Sequence, residues 1–383
     1  MMAYEHGGDI YTNPVQMDFS VNLSPLGIPD EVRSAYLTAI DDLGRYPDEE
    51  GRSLRKAASA FFARAGIPVP PECFLFGSGA AELIYDIFRA VRPERVILPA
   101  PTFSEYGKAA RAAGAEVLEI SMAEPGTSEN GSGEAPGGSG QAAAETGPSG
   151  FSHRAFLNRL RGQRIPGGRT VLVLCHPSNP TGLAMTREEI QEAAALARER
   201  NWLLLADECF LWFVERERRA GFLGAAGEFP GLIAVNAVTK ACAVPGLRAG
   251  FAVAADPGIR ESIRRCRQPW SLSVPAERAM AAAFALEGLS DRIADACAGE
   301  REVLRAGLTA CGFTVFPSDA NFLLFRKAAG DPRDYRELLL GRGILIRSCA
   351  NFSGLGERYY RIAVKTGEEN LRLLAAFREA VES

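Results

Sequence analysis

The chain has 383 residues, 47% of them hydrophobic and 23% charged, with a formal net charge of −4 at pH 7. This length accommodates one large and one smaller domain, or two comparable ones, and the charge gives no general attraction to nucleic acid or anionic membranes. No run of about 18 apolar residues predicts a membrane span, and the opening residues lack the apolar core of a secretory signal, so we expect a cytoplasmic protein. Eight dispersed cysteines and only three histidines argue against a zinc site and indicate reduced thiols.

Short apolar runs recur through the first two thirds of the chain. They are rich in valine, leucine and isoleucine, and most lack the polar alternation of a half-exposed strand, which is typical of strands covered on both faces. We predict strands at residues 95–101, 115–121, 170–177, 202–208, 232–239 and 249–255.

Helical patterns alternate with these strands, for example at 81–92 and at 186–201. The second of them opens with Thr186 and Glu189, which have the spacing of a capping box. Alternating strands and helices predict an α/β domain with a mostly parallel sheet.

The pattern changes beyond about residue 270, where long helices precede the runs "FTVFPSDANFLLFRK", "GILIRS" and "YYRIAV". We predict a smaller α+β domain there, joined to the large domain by a helix at about 274–312. The predicted division of the chain is an N-terminal arm and small-domain segment at 1–40, a large α/β domain at 41–270, and the linking helix with a small C-terminal domain at 271–383.

Residues 124–150 interrupt the large domain with eight glycines and no valine, isoleucine, leucine or aromatic residue. Such a segment cannot bury enough apolar surface to offset the entropy lost on ordering. We therefore expect a flexible surface insertion without a catalytic role.

Two stretches at the ends of predicted strands carry groups suited to an anionic ligand. Open α/β sheets bind ligands at such ends. The stretch "FGSGAAEL" (76–83) is rich in glycine and opens a helix, whose free amides suit a phosphate. The stretch "CHPSNPTGL" (175–183) contains Asn179 in a proline-flanked loop. Taken singly, either stretch is also explained as a structural turn.

Two further strand ends carry charged side chains. In "LLLADECF" (203–210) an apolar strand ends with Asp207 and Glu208, and in "NAVTKACAVPGLRAGF" (236–251) a core strand ends with Lys240. Unpaired charges are costly at such positions. Each has a structural explanation, such as a helix cap or a surface pair, and each has a functional one.

In this order, the four stretches resemble the fold-type I pyridoxal-phosphate (PLP) enzymes that are similar to class I and II aminotransferases. The resemblance rests on the Asn–Pro–Thr–Gly loop, the Asp at a strand end, the Thr–Lys pair and the following Gly–Leu–Arg. It implies the PLP-dependent transferase fold, with PLP as cofactor, Lys240 as the lysine that binds it covalently, and Asp207 as the partner of its ring nitrogen.

The resemblance also implies the remaining contacts to the cofactor. Asn179 would donate to the phenolate oxygen of the ring, and Phe103, in "APTFSEYG", would stack on the ring. The cofactor phosphate would be bound by Ala80 and Ala81 amides, Thr239 and Arg248. Tyr46, in "GRYPDEEG", is similar to a tyrosine that reaches the phosphate from the neighbouring subunit, which implies a homodimer with shared sites.

A narrower resemblance comes from "HGGDIY", "DFSVNLSPLG" and "RYPD" near the start and "ILIRSCANFSGLGERYYRIAV" near the end. These segments are similar to the threonine-phosphate decarboxylase branch of cobalamin biosynthesis, which is related to histidinol-phosphate aminotransferase. In that branch Arg361 and Asn22 would hold the substrate carboxylate, while Arg347 and His6 would hold the substrate phosphate. The implied reaction is PLP-dependent decarboxylation of a small phosphorylated amino acid, L-threonine O-3-phosphate.

Two positions depart from the family pattern, and other functions stay open. Asp9 stands where asparagine often follows "HGG", and Phe210 stands where many aminotransferases have a tyrosine. One alternative is an aminotransferase acting on histidinol phosphate, because the same residues serve both reactions. Another is a cofactor-binding regulator without turnover, for which no basic helix-turn-helix pattern is visible.

Overall fold

A computed structural model describes residues 6–124, 150–225 and 229–382. The predicted insertion at 124–150 lies outside the described residues except for its two ends. The strands are β1 (Met17–Asp18), β2 (Phe74–Gly77), β3 (Arg95–Ala100), β4 (Glu116–Ser121), β5 (Thr170–Cys175), β6 (Leu203–Asp207), β7 (Leu232–Ala237), β8 (Gly250–Ala254), β9 (Thr314–Val315), β10 (Phe322–Arg326), β11 (Ile344–Leu345), β12 (Arg347–Ser348) and β13 (Tyr359–Ala363).

The α-helices are α1 (Asp30–Thr38), α2 (Arg52–Arg64), α3 (Gly79–Val91), α4 (Ser104–Ala112), α5 (His153–Gly162), α6 (Arg187–Glu199), α7 (Val238–Ala241), α8 (Pro257–Cys266), α9 (Val274–Ala285), α10 (Leu289–Ala310), α11 (Tyr335–Leu340) and α12 (Gly367–Glu382). The capping box predicted for α6 is confirmed, since Thr186 and Glu189 bond reciprocally to each other's backbone amides.

The central sheet has seven strands in the order β2-β8-β7-β6-β5-β3-β4. Strand β8 runs antiparallel to both of its neighbours, and the remaining pairs are parallel. The six predicted strands and the α/β class with a mostly parallel sheet are therefore confirmed. Strand β2, at the edge beside β8, was not predicted as a strand.

The order of the sheet brings the predicted site residues together. Strands β5, β6 and β7 are adjacent and parallel, so their carboxyl ends meet at one edge. The Asn179 loop follows β5, Asp207 ends β6, and Lys240 follows β7. Buried apolar residues cover both faces of these strands. The polar groups therefore lie at the carboxyl ends of the strands and not on either face of the sheet.

The last third of the chain contributes a four-stranded antiparallel sheet in the order β12-β13-β10-β9. It packs on α10 and α12 around a core of its own. The N-terminal strand β1 pairs in parallel with β11, so the N-terminal segment joins the C-terminal part of the molecule.

The helix predicted at about 274–312 is in fact two helices, α9 and α10. Gly288 separates them with a φ of +61°, a left-handed conformation that glycine adopts at little cost and that a continuous helix does not contain. The prediction of a single linking helix was wrong at this position.

Candidate active site

A cavity of about 280 Å³ opens at the carboxyl edge of β5, β6 and β7. It is lined by residues from the large domain, from the N-terminal segment and from β12 and β13. Of the predicted site residues, the lining includes His6, Asn22, Ala80, Ala81, Phe103, Asn179, Asp207, Thr239, Lys240, Arg248, Arg347 and Arg361. The remaining predicted residue, Tyr46, does not line it.

Lys240 lies in the short helix α7, directly after the buried strand β7. Burial lowers the pKa of its amine to about 8, and the guanidinium of Arg361 acts in the same direction. A lysine with this pKa has a substantial fraction of neutral amine near physiological pH, which is the nucleophilic form.

Asp207 ends β6 as a buried carboxylate with both oxygens hydrogen-bonded. The hydroxyl of Tyr106 donates to Oδ2 at 2.7 Å, and the backbone amide of Cys209 donates to Oδ1 at 3.0 Å. Two donors offset part of the cost of burying the charge. Tyr106, which is 1% exposed, was not among the predicted site residues.

Arg361 connects β13 to the other side of the cavity. One guanidinium nitrogen donates to Asn179 Oδ1 at 2.5 Å, and another donates to the backbone carbonyl of Ser20 at 2.9 Å. Burial lowers the pKa of Arg361 to about 10, so the group stays a cation at neutral pH. Because Asn179 Oδ1 accepts from Arg361, the Nδ2 amide is the group with which Asn179 can donate a hydrogen bond to a ligand.

Arg347 faces Arg361 directly across the antiparallel pair β12–β13. Its guanidinium donates to the carbonyl of Ser348 at 2.5 Å and to Asn351 Oδ1 at 2.7 Å. Two guanidinium groups therefore reach one cavity from neighbouring strands. This arrangement suits a ligand with two anionic groups.

The amino end of α3 forms a cradle in which two glycines allow neighbouring groups to come close to the backbone. A Cβ on Gly250 would lie 2.6 Å from the Ala80 nitrogen, and a Cβ on Gly79 would lie 2.7 Å from a guanidinium nitrogen of Arg248. Gly79 also has a φ of +87°. Helix amides and a guanidinium gathered this closely suit a phosphate.

Further contacts place the other predicted residues around the cradle and the cavity mouth. The Thr239 hydroxyl donates to the Ala249 carbonyl at 3.3 Å. The exposed imidazole of His6 bonds to Glu105 at 2.9 Å and lies 5.7 Å from the ring of Phe103. Asn22 is buried, and its side-chain oxygen has no hydrogen-bond partner among the described residues.

Tyr46 lies away from the cavity and is 76% exposed. Its ring stacks on Trp270 with centroids 4.5 Å apart. The role of Tyr46 at a neighbouring subunit's site stays a prediction.

Two titratable groups near the site have structural partners. Burial raises the pKa of Glu208 to about 7, and its carboxylate accepts from the Phe222 amide at 2.5 Å. His176 accepts from the Met185 amide at 2.9 Å and bonds to the Ala220 carbonyl at 2.7 Å. In both cases these partners hold loops around the sheet and do not face the cavity.

The described part of the chain contains no group of three or more His, Cys, Asp or Glu side chains placed to hold a metal ion. Within the same residues, no helix has the length and apolar character needed to cross a membrane.

The family model described as "Aminotransferase class I and II" matches residues 14–377. The chain belongs to the aminotransferase class I and II family. Enzymes of this family use PLP, and the fold described above is the fold-type I fold of its members.

Among relatives, threonine-phosphate decarboxylase of Salmonella typhimurium is 33% identical over 387 residues, which cover 98% of this chain and 96% of the relative. The adenosylcobalamin biosynthesis bifunctional protein CobDQ of Leptospira interrogans is 29% identical, covering 97% of this chain and 40% of that protein.

Two solved structures have a similar fold. The histidinol-phosphate aminotransferase from Clostridium acetobutylicum aligns with a TM-score of 0.79 at 24% identity, covering 96% of this chain and 99% of that one. The L-threonine-O-3-phosphate decarboxylase from Porphyromonas gingivalis aligns with a TM-score of 0.75 at 21% identity, covering 95% and 99%.

The donor set of the cavity fits PLP. The cradle at Gly79 and Gly250 suits its phosphate, the carboxylate of Asp207 suits its ring nitrogen, and the amine of Lys240 suits its aldehyde. These three features lie around one cavity, so the residues present are those that the cofactor of this family requires.

Proposed function

We propose that the protein is a PLP-dependent decarboxylase that converts L-threonine O-3-phosphate into (R)-1-aminopropan-2-ol O-2-phosphate in cobalamin biosynthesis. The observation that carries this proposal is the pair Arg347 and Arg361, which are register partners on β12 and β13 and line the cavity that contains Lys240. A substrate with a carboxylate and a phosphate matches two guanidinium groups. The full-length similarity to a threonine-phosphate decarboxylase supports the same substrate class.

In this proposal Lys240 and Asp207 are the catalytic residues. PLP bound at Lys240 would supply an electron sink for the electron pair released at the substrate's Cα. Asp207 would pair with the ring nitrogen, and Asn179 would donate its Nδ2 amide to the phenolate oxygen because its Oδ1 is held by Arg361. Phe103 would pack on the ring. The amine of Lys240, when free, would carry a proton to or from the substrate's Cα.

The cofactor phosphate is assigned to the cradle at the start of α3. Backbone amides of Ala80 and Ala81 and the guanidinium of Arg248 are its donors in this proposal, together with the Thr239 hydroxyl, whose single proton would turn from the Ala249 carbonyl to the phosphate. These donors lie close to the two contacts described above, one between Gly79 and Arg248 and the other between Gly250 and Ala80.

The substrate anions are divided between the two arginines. Arg361 and Asn22 hold the carboxylate, and Asn22 donates to it with its Nδ2 amide, because the side-chain oxygen is an acceptor. Arg347 holds the phosphate, aided by His6. By holding the substrate carboxylate, Arg361 and Asn22 would select which bond at Cα is broken: the bond to the carboxylate in decarboxylation, or the Cα–H bond in transamination.

We further propose a homodimer in which Tyr46 reaches the partner's cofactor phosphate. Large apolar side chains are exposed along the N-terminal segment, and the exposed Trp270 stacks on one of them, Tyr46. They are Ile10, Tyr11, Leu26, Tyr36, Leu37, Ile40, Leu43 and Tyr46. Exposed side chains of this kind are those that protein interfaces cover, and a second copy of this chain would cover them.

The test is to incubate the PLP-loaded protein with threonine phosphate and to measure carbon dioxide and keto acid separately. We expect carbon dioxide in step with aminopropanol phosphate, and no product from Lys240→Ala. Production of keto acid, with turnover of histidinol phosphate in the presence of an amino acceptor, would replace this proposal by the aminotransferase alternative.

A further inference from the structure

Tyr106 is a buried residue that the proposed reaction does not yet use. It lies in α4, is 1% exposed, and its hydroxyl donates to Asp207 Oδ2 at 2.7 Å. The same residue lines the cavity. A tyrosine that only filled the core would not need its hydroxyl against the carboxylate assigned to the cofactor nitrogen.

The orientation of the Asp207 carboxylate is fixed from two sides. While Tyr106 donates to Oδ2, the backbone amide of Cys209 donates to Oδ1 at 3.0 Å. Cys209 lies in the loop that follows β6, whereas Tyr106 lies in the separate helix α4. Rotation of the carboxylate therefore breaks at least one of two charge-assisted hydrogen bonds.

The groups around Asp207 keep their protons. Burial raises the pKa of Tyr106 well above its ordinary value, and the Asp207 charge acts in the same direction. Burial likewise raises the pKa of the Cys175 thiol to about 12 and that of the Cys209 thiol well above its usual range. The Tyr106 hydroxyl is therefore a permanent donor, and neither thiol places a second negative charge beside Asp207.

Helix α4 also carries the aromatic residue assigned to the ring face. Phe103 is the residue that caps the amino end of α4, and Tyr106 lies one turn further on, with the two rings edge-to-face at 5.6 Å. A single helical turn thus positions both Phe103 and the group that holds Asp207.

We propose that Tyr106 is a positioning residue that locks the Asp207 carboxylate in the orientation that receives the proton-bearing ring nitrogen of PLP. This inference rests on the proposed cofactor role of Asp207. Without the Tyr106 hydroxyl, Oδ2 loses its donor and the carboxylate rotates about its remaining contact, so the pair with the ring nitrogen forms in a smaller fraction of molecules.

The test uses Tyr106→Phe, which removes the hydroxyl and keeps the ring that fills the core. Tyr335→Phe is the matched control, since Tyr335 is also 1% exposed and its hydroxyl donates to Asp331 at 2.9 Å, away from the cavity. Each protein is loaded with PLP that carries ¹⁵N in the ring, and both the nitrogen resonance and the dissociation constant of PLP are measured.

We expect Tyr106→Phe to move the nitrogen resonance toward that of the neutral ring and to raise the dissociation constant of PLP about three- to tenfold. Tyr335→Phe should leave both at the wild-type values. Equal readouts for wild type and Tyr106→Phe would overturn the inference, as would equal changes in the two variants.

A second measurement separates positioning from general packing. If Tyr106 acts through Asp207, then Tyr106→Phe introduced into Asp207→Asn should change the dissociation constant of PLP less than twofold. A full three- to tenfold change in that background would assign Tyr106 to packing and overturn the inference. A wild-type protein that binds no PLP overturns the proposed function itself, which distinguishes the two failures.

Discussion

At the scale of single residues, the environment of Lys240 fixes the pH at which it can react. Burial and the nearby positive charges of Arg361 and Arg248 favour the neutral amine and lower its pKa to about 8. As the pH falls below that value, the fraction of neutral amine that can attack an aldehyde falls about tenfold per pH unit.

We therefore expect the rate of PLP attachment to the apoprotein to rise with pH and to level off above about pH 8. With a lysine of ordinary pKa, the rate of attachment would still rise about tenfold per pH unit above about pH 8. The rate is measured from the absorption band of the bound cofactor. Arg361→Met removes one of the charges that lower the pKa, so its midpoint should lie at higher pH. A wild-type midpoint near 10 would contradict this account.

We expect replacement of each of the two facing arginines to change kcat/KM differently for phosphorylated and unphosphorylated substrates. Arg347→Ala should lower kcat/KM for threonine phosphate about ten- to a hundredfold, since a hydrogen bond to a charged group contributes about 1.5–3 kcal/mol. Its effect on free threonine should be small because that substrate has no phosphate. Arg361→Ala should impair both substrates, since both carry the carboxylate.

Steady-state kinetics of the two variants on both substrates measure this difference. Arg326→Ala is the control for loss of an arginine from the same sheet, because Arg326 lies on β10 and does not line the cavity. Equal penalties for Arg347→Ala on threonine phosphate and on threonine would assign Arg347 a structural role.

At the scale of elements, the two ends of the proposed insertion meet. The Glu124 amide donates to the Gly150 carbonyl at 2.9 Å, and Ala123 forms an antiparallel bridge with Phe151. A two-residue Asn–Gly turn can join neighbouring antiparallel ends of this kind.

Replacing residues 125–149 by Asn–Gly should leave decarboxylation within about twofold of wild type. Closing a much shorter loop costs less entropy, so the free energy of unfolding should rise by about 1–2 kcal/mol. Urea unfolding and steady-state kinetics provide the measurements. Loss of activity in a variant of unchanged stability would indicate that the segment acts at the site.

The elements also show which features can be predicted from a sequence. Asn179, Asp207 and Lys240 were predictable because each follows a buried apolar strand of a parallel sheet, and such ends share one edge. The contact of Tyr106 with Asp207 was not, because the two residues are 101 positions apart and an aromatic on a helix reads as core. Strand β2 was missed because its four residues run into the glycine turn.

At the scale of the whole molecule, the exposed apolar surface of the N-terminal segment predicts the oligomeric state. Leu37 and Ile40 are 63% and 66% exposed. A charge at each of them would remain in water in a monomer but would be buried unpaired in a dimer, which is costly.

Leu37→Asp combined with Ile40→Asp should convert the protein from a dimer into a monomer of 41.2 kDa and weaken PLP binding, because Tyr46 then reaches no partner. Leu371→Asp is the matched control, since Leu371 is 61% exposed on α12, outside this surface. Sedimentation velocity distinguishes the two masses. A monomeric wild type would contradict both the interface and the shared site.

The parallel pairing of β1 with β11 has a consequence for how the chain matures during synthesis. Met17 and Asp18 leave the ribosome long before their partners Ile344 and Leu345. Domains generally fold in the order of synthesis, so the central sheet with Asp207 and Lys240 can form first. Asn22 and Arg361, which line the same cavity, then join last. A nascent chain stalled before β11 would therefore have the part of the cavity that we propose for the cofactor and lack the part that we propose for the substrate's anions.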